Sequence, residues 1–467
     1  MPHKLLSAIT EIVGSKYVSD SDFATFAYSN NSSQYPSRVP GIVVRPGTTE
    51  EVSRIVKLAN QEKVSIVPRG GACSYGGWPE GEPGKSICID ITRMRRILDF
   101  NPVTKTVTVE AGMTGSELET RMRAEGFCVH TIFSPSDSVT VGGMICGESG
   151  GAAGRDFSSE GMDWLFTWGL KVVLPNGDII QTGSGINPQA KNHSRVSSGP
   201  DLTGLFIGSM GIFGIVTEAT LQLFHLQPHE AVGSVAFDYA LLDDAHRAMA
   251  AIDDHEPKLC AILAMFGPGP VIPEGQDWAL IYRVTGFTQD EVDRKLGTIS
   301  RILKEVAPSN KGPTEASERM VRTYITQMHD SAHGFGMWFM IESLFPRDES
   351  LKNLKASYEW LKRELAGWEH RSPIFNSSLF AQLDGDVISY HGMVNLTDEE
   401  ARQKAMEVQK GALDMLLSQG GSVIVLSKDL CDVAADHFRP ECSAMLRTLK
   451  ASLDPNNIMN PHIFKLP

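Results

Sequence analysis

The stretch VPRGGACSYGG at 67–77 overlaps the end of a short apolar run, SIVP at 65–68, and narrows the choice of fold more than any other part of the chain. Four glycines and a serine after a strand let backbone N–H groups come close to a diphosphate, because no Cβ stands between chain and ligand. A plain turn is the other reading of the same residues. Two better-known phosphate loops are excluded by spacing. GEPGKS at 81–86 has Pro79 where a Walker loop needs its first glycine, and no GxGxxG occurs, so a nicotinamide-type Rossmann unit lacks its fingerprint. A dinucleotide bound here is bound by another fold.

A second backbone-rich stretch, SPSDSVTVGGMICGESGGAAGRD at 134–156, carries no charge between Asp137 and Glu148. Small side chains suit a flat, rigid ring system lying against the chain, and the lack of charge favours a ligand-lining loop over a surface linker.

Around these loops, strands and helices are legible from local pattern. GIVVRP at 41–46 has strand composition. Thr48 with Glu51 forms a capping box for a helix whose Val52, Ile55, Val56 and Ala59 share one face. SICID at 86–90 and TVTVEAG at 106–112 read as strands, and Thr114 with Glu117 caps a helix ending at Gly126. LKVVLPNGDIIQTG at 170–183 reads as a hairpin turning at Asn176-Gly177, and GSMGIFGIVTEATLQL at 208–223 closes this half. Beyond about residue 230 the texture is α+β, with helices near 239–253, 288–305, 349–365 and 398–418, which suggests a second domain. The segment from about 430 is helical and ends in LDPNNIMNP.

Composition removes several function classes. With 467 residues, 42% hydrophobic and 21% charged, the chain can bury two or three cores. A net charge of −13 and the lack of a basic run interleaved with aromatics argue against nucleic acid. MPHKLLSAITEIVG reads as an amphipathic helix rather than a leader, and no apolar run approaches a membrane span. Cys73, Cys88, Cys128, Cys146, Cys260, Cys431 and Cys442 form no CxxC pair, which argues against a disulfide framework, zinc ribbon or iron–sulfur cluster. They read as reduced thiols in a cytoplasmic protein.

RGGACSYGG, TVGG with the glycine pair after it, the GLKVVLPNGDIIQTG hairpin, SSGPDLTGLFIGSMGIFGIVTEATL at 197–221 and the terminal LDPNNIMNP, in this order, resemble the FAD-linked oxidases of the vanillyl-alcohol-oxidase family. Within it, the chain is most similar to the branch of the glycolate oxidase flavoprotein subunit and the D-lactate dehydrogenases. The likeness is good over about residues 5–225 and the last thirty, and loose between them. It implies an α+β protein: a two-lobed PCMH-type FAD-binding domain at 1–228, an α+β substrate-binding cap at 229–428, and a C-terminal segment, 429–467, returning to the FAD domain. It implies that Pro68, Arg69, Gly70, Gly71, Ala72, Cys73, Ser74, Gly76 and Gly77 hold the pyrophosphate. Pro135, Ser136, Thr140, Gly142, Gly143, Gly147 and Gly151 would lie along the cofactor toward the flavin. Ile215 would offer its backbone to the uracil-like edge of the flavin, and Asn460 would return beside the ring. Some relatives attach FAD through a histidine in the first loop; Cys73 stands at that place, so non-covalent FAD is expected.

The chain also departs from that branch. Its lactate and 2-hydroxyglutarate dehydrogenases carry HxGDGNxH in the cap and an EHG further on, which bind a divalent metal and supply a base. Here LFAQLDGDVISYHGMVNL at 379–396 keeps His391 alone, and GGSVIVLSK at 420–428 puts Leu426 and Ser427 at the carboxylate and imidazole positions. One histidine without a partner ligand is a poor metal site, so no catalytic metal is expected. The resemblance points Tyr390 and His391 at the flavin; a packed or surface histidine is the other reading of His391. Tyr324, His329, His333 and Trp338, in TYITQMHDSAHGFGMWF, are further candidates that amphipathic packing explains equally well, and Tyr324 joins Tyr390 as a proton-handling group.

The leading expectation is oxidation of a hydroxylated carbon, in a 2-hydroxy acid or an alcohol, with hydride passing to flavin N5 while a base takes the hydroxyl proton. No iron–sulfur motif or haem site is present, so the electrons would leave to a partner protein, a quinone or oxygen. Two readings compete: a para-phenol or aryl-alcohol oxidase, to which LPNGDIIQTGSG with GPDLTGLF is also similar, and a non-catalytic flavoprotein subunit of an electron-transfer complex. SSGPD is also similar to the alkylglycerone-phosphate synthases, whose C-terminal histidine run is missing here. A homo-oligomer is left open.

Overall fold

The strand, capping box and helix read at 41–59 are all present in the computed structural model. β2 (Ile42–Val44; β1 is Val18–Ser19) is buried throughout, the Thr48 hydroxyl accepts from the Glu51 N–H at 3.1 Å, and the Glu51 carboxylate accepts from the Gly47 N–H at 2.7 Å. The helix Thr49–Glu62 then places Val52, Ile55, Val56 and Ala59 fully inside. At about 1.5–3 kcal/mol for each large side chain removed from water, this buried face holds the helix more than propensity does. The structure describes residues 3–29, 38–73, 84–129, 137–147, 167–268, 277–315, 317–318, 337–368, 371, 374–382, 385–395, 397–423 and 428–467.

The first half has two lobes. In one, β2, β4 (Ile87–Asp90) and β3 (Ile66–Arg69) run parallel with β4 in the middle, and β1 pairs antiparallel with β2. The other is an antiparallel sheet in the order β5-β6-β10-β8-β9, made of β5 (Ile97–Asn101), β6 (Thr106–Glu110), β8 (Thr167–Val173), β9 (Ile179–Gln181) and β10 (Ile215–Gln222). The short pair β7 (Phe127–Cys128) and β11 (Phe224–His225) completes it. The hairpin β8–β9 turns at Asn176-Gly177 as its sequence indicates, with Gly177 at φ 82°. β5 carries no strand pattern of its own: ILDFN is an edge strand with no buried residue, so pairing to β6 rather than an apolar pattern makes it a strand. The helix Thr49–Glu62 ties the lobes together, since Thr49 donates to Thr217 at 3.0 Å, Ser53 to the Gly177 carbonyl at 2.5 Å and the Asn60 amide to the Pro175 carbonyl at 2.9 Å.

The second half is one antiparallel sheet in the order β12-β14-β13-β16-β17-β15-β18. Its strands are β12 (His229–Phe237), β13 (Ile262–Pro268), β14 (Trp278–Gly286), β15 (Met337–Phe345), β16 (Ile374–Gln382), β17 (Gly385–Val394) and β18 (Ser422–Val423). The helices Leu242–Asp253, Gln289–Val306, Arg347–Glu364 and Glu399–Ser418 cover one face, where Leu263, Leu280, Ile341, Ile388 and Tyr390 form a core with them. A separate core fills the first half and takes in Cys431, Ile458, Met459, Ile463 and Leu466 from the end of the chain. There the backbone of residues 458–460 runs beside β3: the Ile66 N–H donates to the Ile458 carbonyl at 2.6 Å and the Asn460 N–H to the Ile66 carbonyl at 2.9 Å. Among the described residues no helix is long and apolar enough to cross a membrane.

Candidate functional site

Two segments far apart in sequence meet at the end of β3. Pro68 and Arg69 belong to that strand, Gly70 to Cys73 follow it, and Thr140 lies just before the helix Val141–Gly147, where its hydroxyl accepts from the Gly143 N–H at 3.2 Å. A Cβ on Gly71 would lie 1.6 Å from the Ser138 carbonyl oxygen, and one on Gly70 would lie 2.3 Å from Thr140 Oγ1. The two loops therefore approach each other closely enough to demand glycine at 71. Gly142 has a similar cause, since a Cβ there would come 2.8 Å from that of Ala111, whose carbonyl accepts from the Gly142 N–H. Ala72 has φ 55°, and Gly147 ends the helix. Arg69 donates to the Tyr28 carbonyl at 3.0 Å, and its guanidinium lies over the Tyr28 ring.

Cys73 is partly buried beside Ser138, and burial pushes its thiol up to about 11, which keeps it protonated and a poor nucleophile at neutral pH. Ile215 opens β10 opposite Val173 on β8, with its side chain in the core. Asn460 is buried in a left-handed conformation, φ 44°, and its side-chain amide donates to the Met210 carbonyl. Its Oδ1 is buried without a hydrogen-bond partner among the described residues. A buried acceptor left open costs about 1–3 kcal/mol, so an orphaned oxygen on a residue bonded to β3 and Met210 fits a bound polar ligand. The donor set and the lack of bulk fit a dinucleotide held by backbone. Ser74, Gly76, Gly77, Pro135, Ser136 and Gly151 lie outside the described residues.

In the second half, alternation along β17 separates the two expected proton-handling residues. Tyr390 points into the helix layer, fully buried, with its hydroxyl 2.6 Å from that of Ser357 and donating to the Leu354 carbonyl at 3.1 Å. Burial drives its phenol far above the ordinary range. That placement is a core tyrosine's. His391 points to the other face and is also fully buried. Its Nε2 is 2.8 Å from the Ser389 hydroxyl, which in turn donates to Glu342 on β15 at 2.9 Å. The register pairs Ser389 with Glu342 and His391 with Met340, so side chains two apart on β17 and one from β15 converge on one patch. Glu342 is buried and its carboxyl is pushed up to about 7.

Sequence reasoning missed Glu342 and Ser389. The available signal was a lone carboxylate within the nearly apolar strand MWFMIESLF, which a strand facing only core would not carry. Tyr324, Leu426 and Ser427 lie outside the described residues. Among the described residues, no three His, Cys, Asp or Glu side chains gather as metal ligands would.

A family model described as FAD binding domain matches residues 40–183, and one described as FAD linked oxidases, C-terminal domain, matches residues 229–463. The chain is 32% identical to the glycolate oxidase subunit GlcD of Bacillus subtilis over 97% of this chain and 95% of that protein. It is 33% identical to the mitochondrial D-lactate dehydrogenase [cytochrome] of Arabidopsis thaliana over 51% of this chain, a match that spans 40% of the relative's length. Among solved structures, p-cresol methylhydroxylase with substrate bound superposes with a TM-score of 0.82 at 17% identity, covering 99% of this chain and 96% of that one.

Proposed function

The chain belongs to the FAD-linked oxidases, and from that premise we propose that it oxidises the hydroxylated carbon of a 2-hydroxy acid, with His391 as the base. Bound FAD supplies the two-electron acceptor. Pro68 to Cys73, with Thr140, Gly143 and Asn460, would hold it without a covalent link, and the glycines at 70 and 71 keep the two loops close enough to act as one cradle. The face of the second sheet that carries His391 is, on this reading, the one turned toward the flavin.

The single observation that carries the reading is the patch around His391. A hydroxyl at 2.8 Å from Nε2 fixes the orientation of the imidazole, as general-base catalysis needs. The kinship with glycolate oxidase subunit GlcD across nearly the whole chain supports a hydroxy-acid substrate over a phenol. Tyr390 has no part in the proposed chemistry, because its hydroxyl is committed to Ser357 and Leu354 on the helix side. Electrons would pass to a partner protein, a quinone or oxygen.

A substrate screen read by anaerobic bleaching of the flavin tests this. Glycolate, lactate and longer 2-hydroxy acids should reduce the flavin. Bleaching by para-alkylphenols or aryl alcohols alone would replace the proposal with a phenol oxidase, and no bleaching by either class would favour a flavoprotein subunit without its own substrate.

A further inference from the structure

The Ser389 hydroxyl has one proton to give and two neighbours to satisfy. When Glu342 is ionised, the hydroxyl donates to it across 2.9 Å and must accept from His391, so Nε2 carries hydrogen and Nδ1 is left as the basic nitrogen. When Glu342 is protonated, the carboxyl can donate to Ser389 and Ser389 to Nε2, which moves the imidazole proton to Nδ1. The charge state of Glu342 thus selects the tautomer of His391 across one hydroxyl.

We propose that Glu342 is a positioning residue that sets the tautomer of His391 through Ser389 and takes up its second proton when His391 acts as base. This rests on the reading of His391 given above. The proton count closes: the substrate hydroxyl proton goes to Nδ1, the Nε2 proton to Ser389 Oγ, and the Ser389 proton to Glu342. At the end the imidazole is neutral in its other tautomer, the serine is again a hydroxyl, and Glu342 is a carboxylic acid. The hydride leaves the same carbon with its electron pair for the FAD.

The surroundings favour this role over an ion pair. Glu342 makes no salt bridge with any described residue, and among the described residues burial and the Ser389 hydrogen bond act on its carboxyl, pushing it up to about 7, close to the range in which a relay acceptor must load and unload. Among the described residues of the strands beside it, the charged side chain on β17 is Asp386, which pairs with Arg347 and His246. The Ser378 hydroxyl on β16 is spent on the Ser389 carbonyl, Gln409 of the helix Glu399–Ser418 donates to the Met340 carbonyl, and Ser422 of β18 accepts at its carbonyl from Ser343. On the same face, Arg283 and Glu230 pair with each other on β14 and β12, toward the opposite edge of the sheet.

Nitrogen NMR of the FAD-loaded protein labelled with ¹⁵N-histidine, without substrate, tests the coupling from pH 5 to 9, with the His391 signals identified by their loss in His391→Asn. Wild type should change from Nε2–H at high pH to Nδ1–H at low pH, at the same midpoint as the Glu342 carboxyl band in the infrared. Glu342→Gln and Ser389→Ala should each abolish that step, and either variant alone suffices if the other does not fold. A step that survives in a folded variant, or no step in wild type, overturns the proposal. Stopped-flow reduction of His391→Ala separates this from the parent reading. A lost step with normal reduction keeps the coupling and removes His391 as base, whereas slow reduction with an intact step keeps the base and removes Glu342.

Discussion

A methyl group at position 71 would sit 1.6 Å from the Ser138 carbonyl oxygen, a distance that only displacement of one loop relieves. Overpacking of this kind costs about 1–3 kcal/mol, and here it acts on the cradle itself. Gly71→Ala should therefore purify with at least tenfold less FAD per chain, read from the ratio of flavin to protein absorbance; full occupancy would mean that the two loops are not in contact. Cys73 is a filler by comparison, with its thiol held protonated, so acid precipitation should leave the yellow colour in the supernatant. Colour in the pellet would establish a covalent flavin. For His391, general-base catalysis predicts that His391→Ala slows anaerobic flavin reduction by roughly 10²- to 10⁴-fold at unchanged FAD content. A histidine that only packs would instead lower the melting temperature and leave the reduction rate within a few-fold.

Within elements, alternation decides which neighbours a residue meets. Tyr390 and His391 are adjacent in sequence, yet one is in the helix-packed core and the other on the opposite face with Ser389 and Glu342. Burying the Glu342 carboxyl there has a consequence for stability. An ordinary glutamate releases its proton near 4.5, whereas burial moves Glu342 up to about 7. Between these values the folded state holds a proton that the unfolded chain has lost, so stability falls as pH rises through that window, by about 1.4 kcal/mol for each pH step of one. Glu342→Gln removes the charge. Its denaturant midpoint should exceed that of wild type at pH 8 and converge with it below about pH 4.5. Equal midpoints at both pH values would mean that water reaches the carboxylate.

On the scale of the whole molecule, the end of the chain is built into the first domain. Lys450, almost fully buried, donates to the Ile212 carbonyl at 3.1 Å, to Asp454 at 2.6 Å and to the Met459 carbonyl, while Asp454 accepts from the N–H groups of Ile458 and Met459. This knot holds residues 458–460 against β3, the strand that leads into the first glycine loop. Lys450→Met would leave Asp454 as a buried charge without its cation, a loss of about 3–5 kcal/mol. The variant should melt earlier and lose flavin. Unchanged melting and flavin content would show that apolar contacts of Ile463 and Leu466 suffice to anchor the tail.

Local pattern is sufficient for whatever depends on neighbours a few residues away. The capping box at Thr48 and Glu51, the apolar face of the helix that follows, and the Asn176-Gly177 turn all appear where local pattern places them, because their contacts close within one turn of chain. The ordered glycine motifs were enough to identify the family, since each constrains backbone in its own segment. Tertiary structure decided the rest. Which atom Gly71 must avoid, why ILDFN is a strand, and which side chain stands behind His391 all depend on pairings between distant segments, such as the 47 residues separating Glu342 from Ser389. Strand register brings those groups together, and register is set by long-range burial that no short window of sequence records.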